Sequence, residues 1–220
     1  MRPYSSPPAR SRLLNASPEA SATLVVLASG SGTLLAALLA ATAAPEFGAR
    51  VVAVVVDREC PARGVAERAG VATHVIPLSD FADRPAFDRA LTDVVGSCAP
   101  SLIVTAGYMK ILGPAFLARF GGSIINSHPA LLPSFPGASA VADALAHGVK
   151  VTGATVHLVD DGVDTGPILA QAPVVVSDDD DEVTLHERIK SVERVLLVQV
   201  VSACVTKGVV CQGRKARFRE

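Results

Sequence analysis

Thr23-Leu24-Val25-Val26-Leu27-Ala28, running directly into Ser29-Gly30-Ser31-Gly32-Thr33, is the stretch that decides the fold. The first part is a short, uncharged run rich in Val and Leu, which suits a strand covered on both sides. A tight glycine loop follows, and then an apolar segment over residues 34–43 that reads as a helix. Strand, glycine loop and helix in that order open a parallel α/β sheet. The loop also disposes of a false signal. Arg2, Arg10 and Arg12 precede an apolar stretch over residues 22–44 that superficially mimics a secretory leader. Residues 29–32 break it in the middle, so no run of membrane-spanning length survives.

Working outward, the alternation continues. A second strand is expected over residues 50–56, a helix from near Pro61, and a short strand over residues 74–77. Pro85 suits the first turn of a helix reaching about Ser97. Further strands are expected over residues 102–106 and 123–126. After Gly153 the texture changes: residues 154–159 alternate and residues 167–176 form another extended run, which reads as late antiparallel pairing. A helix over residues 183–203 carries an apolar stripe of Leu185, Ile189, Val192 and Leu196, with His186, Lys190 and Glu193 on another face. The reading is a single-domain, Rossmann-like α/β fold with a mostly parallel twisted sheet, late antiparallel strands and helices on both faces. It occupies residues 21–213. Residues 1–20, rich in Pro, Ser, Ala and Arg, read as a disordered extension, and residues 214–220 as a solvated C-terminal tail.

Composition narrows the function classes. The chain has 220 residues, enough for one substantial core, and half of them are hydrophobic. Charge is balanced at 20 basic and 21 acidic residues, with no basic block beyond Arg214-Lys215-Ala216-Arg217, so neither a nucleic-acid nor a membrane partner is indicated. Cys60, Cys98, Cys204 and Cys211 are scattered, which fits reduced thiols in a cytoplasmic protein. The five histidines lack any metal-ligand spacing, and no metal is expected. A Val- and Ala-rich fold of this kind leaves room for a homodimer surface.

Chemistry concentrates at Ile125-Asn126-Ser127-His128-Pro129-Ala130-Leu131-Leu132-Pro133 and at Asp160-Asp161-Gly162-Val163-Asp164-Thr165-Gly166-Pro167. The period of two in a strand points Asn126 and His128 to one face and Ser127 to the other. Pro129 then stops the strand, because it cannot donate to a ladder. A carboxamide, an imidazole and a loop carboxylate supply an oxyanion donor, a general acid/base and an orienting anion. That is acyl-transfer machinery without its own nucleophile, and no Gly-x-Ser-x-Gly elbow is present to supply one. The loop Gly30-Ser31-Gly32-Thr33 ahead of a helix is an anion site suited to a monophosphate. It lacks the third glycine of a dinucleotide fingerprint; Asp57, at the end of the second strand, is the one feature favouring a ribose contact.

Asn126-x-His128-Pro129-x-Leu131-Leu132-Pro133 with Asp164-x-Gly166-Pro167 resembles the signature of the formyltransferases that use 10-formyltetrahydrofolate, and the likeness covers about residues 23–213. Within that family it is most similar to the branch that acts on phosphoribosylglycinamide in purine synthesis. The resemblance implies direct attack of the substrate amine on the formyl carbon through a tetrahedral intermediate, with Asn126, His128 and Asp164 catalytic. It further implies that Gly32, Thr33 and Leu34 hold the substrate phosphate, and that Lys190 and Glu193 face the ribonucleotide, Glu193 toward the ribose hydroxyls. Arg84, Met109, Lys110, Ile111 and Leu112, together with Asn126, would contact the folate.

The sequence departs from the family pattern at three places. Leu34 replaces a frequent Asn, leaving only its backbone N–H for a ligand. Lys110 replaces Arg and loses a bidentate or stacking role. Ser139 stands near the place of a usual His. His157 alternates within its strand and reads as a hydrogen-bonded structural residue. Two relatives share the Asn-His-Asp set. The tRNA formyltransferase is expected to carry an additional C-terminal domain and the formyltetrahydrofolate deformylase an additional N-terminal one. The deformylase is the runner-up, and a nucleotide-binding module without catalysis is the reading from a different class.

Overall fold

The computed structural model describes residues 21–220, so the expected disordered extension lies outside the described residues. The chain forms strands β1 (Ala22–Ala28), β2 (Ala49–Val56), β3 (Ala72–Val75), β4 (Leu102–Thr105), β5 (Ile124–His128), β6 (Val151–Leu158), β7 (Ile168–Val175), β8 (Val209–Gln212) and β9 (Lys215–Phe218). The helices are α1 (Thr33–Thr42), α2 (Pro61–Arg68), α3 (Arg84–Ser97), α4 (Pro114–Phe120), α5 (Ala140–His147) and α6 (Glu182–Lys207).

The strands make one sheet in the order β3-β2-β1-β4-β5-β6-β7-β9-β8. β3, β2, β1, β4 and β5 run parallel; β6 is antiparallel to β5, and β7 to β6. Alternation along β1 explains why its apolar run is continuous. Leu24, Val26 and Ala28 join α1, α2 and α6 on one face, while Val25 and Leu27 join α3 and α4 on the other. Phe87 of α3 and Phe116 of α4 are buried against that second face, each such burial contributing about 1.5–3 kcal/mol.

Two differences from the sequence reading concern short elements. α4 and α5 were not anticipated, because seven- and eight-residue helices span only about two turns and leave little periodicity to read. Residues 214–220, expected as a tail, instead supply β9, which pairs with β8 and, through Lys215, with Ile168 of β7. Four residues are too few to show an alternation clearly, yet Ala216 and Phe218 pack against the core while Lys215 and Arg217 stay exposed. The acidic run entering α6 does act at the helix N-terminus: Asp181 accepts from Thr184 N–H at 2.8 Å in a capping box.

Candidate active site

Sheet register builds the site from three neighbouring strands. Thr105 of β4 lies beside Asn126 of β5, and Asn126 lies opposite His157 of β6. The Thr105 hydroxyl lies 2.6 Å from Asn126 Oδ1 and 3.1 Å from the Ile125 carbonyl, and the Asp164 carboxylate, which can only accept, fixes the amide nitrogen on its own side. Nδ2 is thereby aimed at His157 Nε2, 3.2 Å away, and at Asp164 Oδ1, 3.4 Å away. His157 Nδ1 meets the Leu158 carbonyl at 2.9 Å and so carries a hydrogen. Its Nε2, when bare, accepts from Asn126; when protonated it donates to Asp164 Oδ1, 3.5 Å away.

His128, two residues beyond Asn126, shares its face as the strand period requires. Its Nδ1 is 3.3 Å from Asp164 Oδ2, and its Nε2 is 2.8 Å from the Phe135 carbonyl. Both ring nitrogens therefore face acceptors, and only the imidazolium satisfies both at once. Ser127 points the other way and donates to the buried Glu193 carboxylate at 2.7 Å. Burial pushes the Glu193 carboxyl above its usual range, against the lowering effect of that hydrogen bond.

Asp164 arrives from the loop between β6 and β7 with φ 53°, a left-handed conformation that Asp adopts more readily than most residues. Its Oδ2 also accepts from Gly137 N–H at 2.8 Å. Burial alone would raise this carboxyl. The His157 hydrogen bond, the Gly137 N–H and the charges of His128 and His157 outweigh it and hold the group at about 2. The loop is braced from both ends: Thr165 Oγ1 donates to Asp160 at 2.6 Å, and the Thr165 carbonyl accepts from Arg214 of the β8–β9 turn at 2.9 Å.

These groups open onto a cavity of about 550 Å³, within the range of small-molecule sites. Gly32, Thr33, Leu34, Met109, Lys110, Ile111, Leu112, Asn126, His128, Asp164, Lys190 and Glu193 all line it. Among the described residues no side chain caps α1, so the N–H groups of its first turn remain available where the cavity meets residues 30–34. Gly32 makes this geometry possible. It sits at φ 77°, and an added Cβ would lie 2.7 Å from Ala62 Cα. Lys190 pairs with Glu187 at 2.7 Å and not with Glu193, whose carboxylate is taken by Ser127.

Arg84 is not among the lining residues. Its guanidinium is hydrogen-bonded to the Ile111 carbonyl and lies over the Phe87 ring. Asp57, the single feature that favoured a dinucleotide ribose, has a fully buried side chain engaged by Arg58 at 2.9 Å and Lys110 at 3.2 Å. His157, expected as a hydrogen-bonded structural residue, is buried and hydrogen-bonded, and its Nε2 also faces Asn126 and Asp164. Sequence reasoning missed two participants. Thr105 and the Gly137 backbone had no signal of their own, and only strand pairing and loop closure reveal them. Ser139 lines the cavity as the N-cap residue of α5. Among the described residues, no group of three or more His, Cys, Asp or Glu side chains is placed to hold a metal ion.

A Rossmann-like sheet whose fifth strand presents Asn and His to a loop Asp defines a class. The formyl transferase family model matches residues 22–201, and the chain belongs to that family. Within it, the chain is 59% identical over 203 residues to a phosphoribosylglycinamide formyltransferase of Mycobacterium tuberculosis, covering 92% of this chain and 94% of that one. Glycinamide ribonucleotide transformylase 1 from Symbiobacterium toebii superposes with a TM-score of 0.88 at 38% identity, covering 90% of this chain and 94% of the other. A formyltetrahydrofolate deformylase from Pseudomonas syringae has the same fold (TM-score 0.85, 27% identity), with 92% of this chain matching 67% of the deformylase.

Proposed function

We propose that this protein transfers the formyl group of 10-formyltetrahydrofolate to the amine of 5'-phosphoribosylglycinamide, with Asn126, His128 and Asp164 carrying the chemistry. The observation that carries the reading is the convergence of Asn126 Nδ2, the His128 imidazole and the Asp164 carboxylate on the wall of one cavity that also contains the uncapped start of α1. The substrate phosphate is assigned to the N–H groups of residues 32–34, with Lys190 supplying positive charge nearby. The buried Glu193 carboxylate is assigned to the ribose hydroxyls. Residues 107–112 offer the folate an apolar wall through Met109 and Ile111, and Arg84 serves it by supporting that wall.

The amine nitrogen attacks the formyl carbon, a C–N bond forms and negative charge develops on the formyl oxygen. Asn126 Nδ2–H is the donor for that oxygen, a contribution of ~2.7–4 kcal/mol for such groups. Collapse breaks the bond to the folate nitrogen, which takes a proton from His128. A carboxyl held at about 2 is a weak proton acceptor near neutral pH. Asp164 therefore acts as a permanent anion that orients His128, and the amine's surplus proton leaves through water.

The hydrolytic alternative uses the same three residues. Identity of 59% to the phosphoribosylglycinamide formyltransferase, against 27% to the deformylase, favours the transferase. With Cys60, Cys98, Cys204 and Cys211 all unpaired, the setting is taken to be cytoplasmic. The test is tetrahydrofolate release from 10-formyltetrahydrofolate with and without the ribonucleotide. Release that requires the ribonucleotide, with formylated product, supports transfer; release without it means a hydrolase, and no release removes the catalytic reading.

A further inference from the structure

The loop after β4 presents two large apolar side chains to the cavity, Met109 and Ile111, which are 63% and 65% exposed. Side chains that stand this far out have little packing to hold them, so the backbone beneath must be fixed by other means. Polar contacts from outside the loop do so. Ser29 N–H donates to the Gly107 carbonyl at 3.1 Å, and Met109 N–H donates to Ser29 Oγ at 2.9 Å. Lys110 Nζ reaches Asp57 at 3.2 Å, and Arg84 holds the Ile111 carbonyl.

Two of these contacts lead to one group. Asp57 follows β2 with its side chain shut off from solvent; Lys110 Nζ lies 3.2 Å from its carboxylate, and Ser29 is among the groups that hold its carboxyl below the usual range. The Ser29 hydroxyl accepts from Met109 N–H at 2.9 Å, which leaves its own hydrogen free to serve the Asp57 carboxylate. Burial opposes the charge on Asp57, yet the hydrogen bonds from Arg58, Ser29 and Lys110 prevail and hold its carboxyl below the usual range. The anion is therefore a permanent anchor at neutral pH.

We propose that Asp57 is a positioning residue for the formyl-donor wall, setting Met109 through Ser29 and the adjoining residue through Lys110 without itself touching the donor. This rests on the donor assignment made above. In steady-state assays varying each substrate in turn, Asp57→Asn, which keeps the shape and removes the charge, is expected to raise the KM for 10-formyltetrahydrofolate by about tenfold. The ribonucleotide KM and kcat should move by less than about twofold. Ser29→Ala deletes only the bridging hydroxyl and should raise the same KM in the same direction by a smaller factor; it carries the test should Asp57→Asn fail to fold. An unchanged donor KM in folded variants, or an equal rise in both KM values, overturns the proposal while leaving the transferase reading standing. A wild-type protein that transfers no formyl group removes the reading and this proposal together.

Discussion

Asp164→Asn exchanges one oxygen for nitrogen and leaves the backbone undisturbed, because Asn tolerates the left-handed φ of 53° as well as Asp does. The carboxyl is held at about 2 against an ordinary 3.8, and its loss as an anion is worth about 2 kcal/mol of folding free energy. A folded pKa below the unfolded one contributes stability that is fully present above the unfolded value. That contribution is lost as pH falls from 3.8 through about 2. The variant should therefore unfold at lower urea concentration than wild type at pH 7, and the gap should narrow steadily below about pH 4. The amide adds a mismatch of its own. If its oxygen keeps the Gly137 N–H, its NH2 faces the Asn126 amide and loses that contact. Turnover should fall by roughly 10⁴, the scale seen when an orienting carboxylate beside a histidine is replaced by an amide. Equal stability at pH 7, or a gap that persists unchanged to pH 3, would refute the account of how this carboxylate is stabilised. Turnover within a fewfold of wild type would refute its orienting role.

Gly32→Ala places a Cβ against Ala62 Cα at a positive φ, so α2 or the loop must shift; about 2 kcal/mol or more of stability should be lost, with a raised ribonucleotide KM read in the same preparation. Retention of both would show that the loop relaxes freely. Tyr108→Phe removes a buried hydroxyl that has no hydrogen-bond partner among the described residues, and should leave stability unchanged or raise it by about 1 kcal/mol in thermal unfolding. A clear loss of stability would show that the hydroxyl has a partner.

What could be read from the chain alone was what covalent geometry dictates locally. The continuous apolar run of β1 announces a strand covered on both faces, and the period of two places Asn126 and His128 together with Ser127 opposite. The departure of Pro129 from ladder pairing ends that strand where expected. Everything that joins distant segments was decided by tertiary structure. Register across β4, β5 and β6 sets Thr105 and His157 on either side of Asn126, and loop closure delivers Asp164 and the Gly137 N–H. The partners of Glu193, Lys190, Lys110 and Arg84 were equally hidden, because a long charged side chain reaches several groups and packing selects among them. The C-terminal hairpin was hidden because its strands are only four residues long: β9 pairs with β8 and touches β7 through one residue, and its alternate residues Ala216 and Phe218 pack against a core assembled from distant segments. Local periodicity is written residue by residue into backbone geometry; pairing between remote segments is a property of the folded whole.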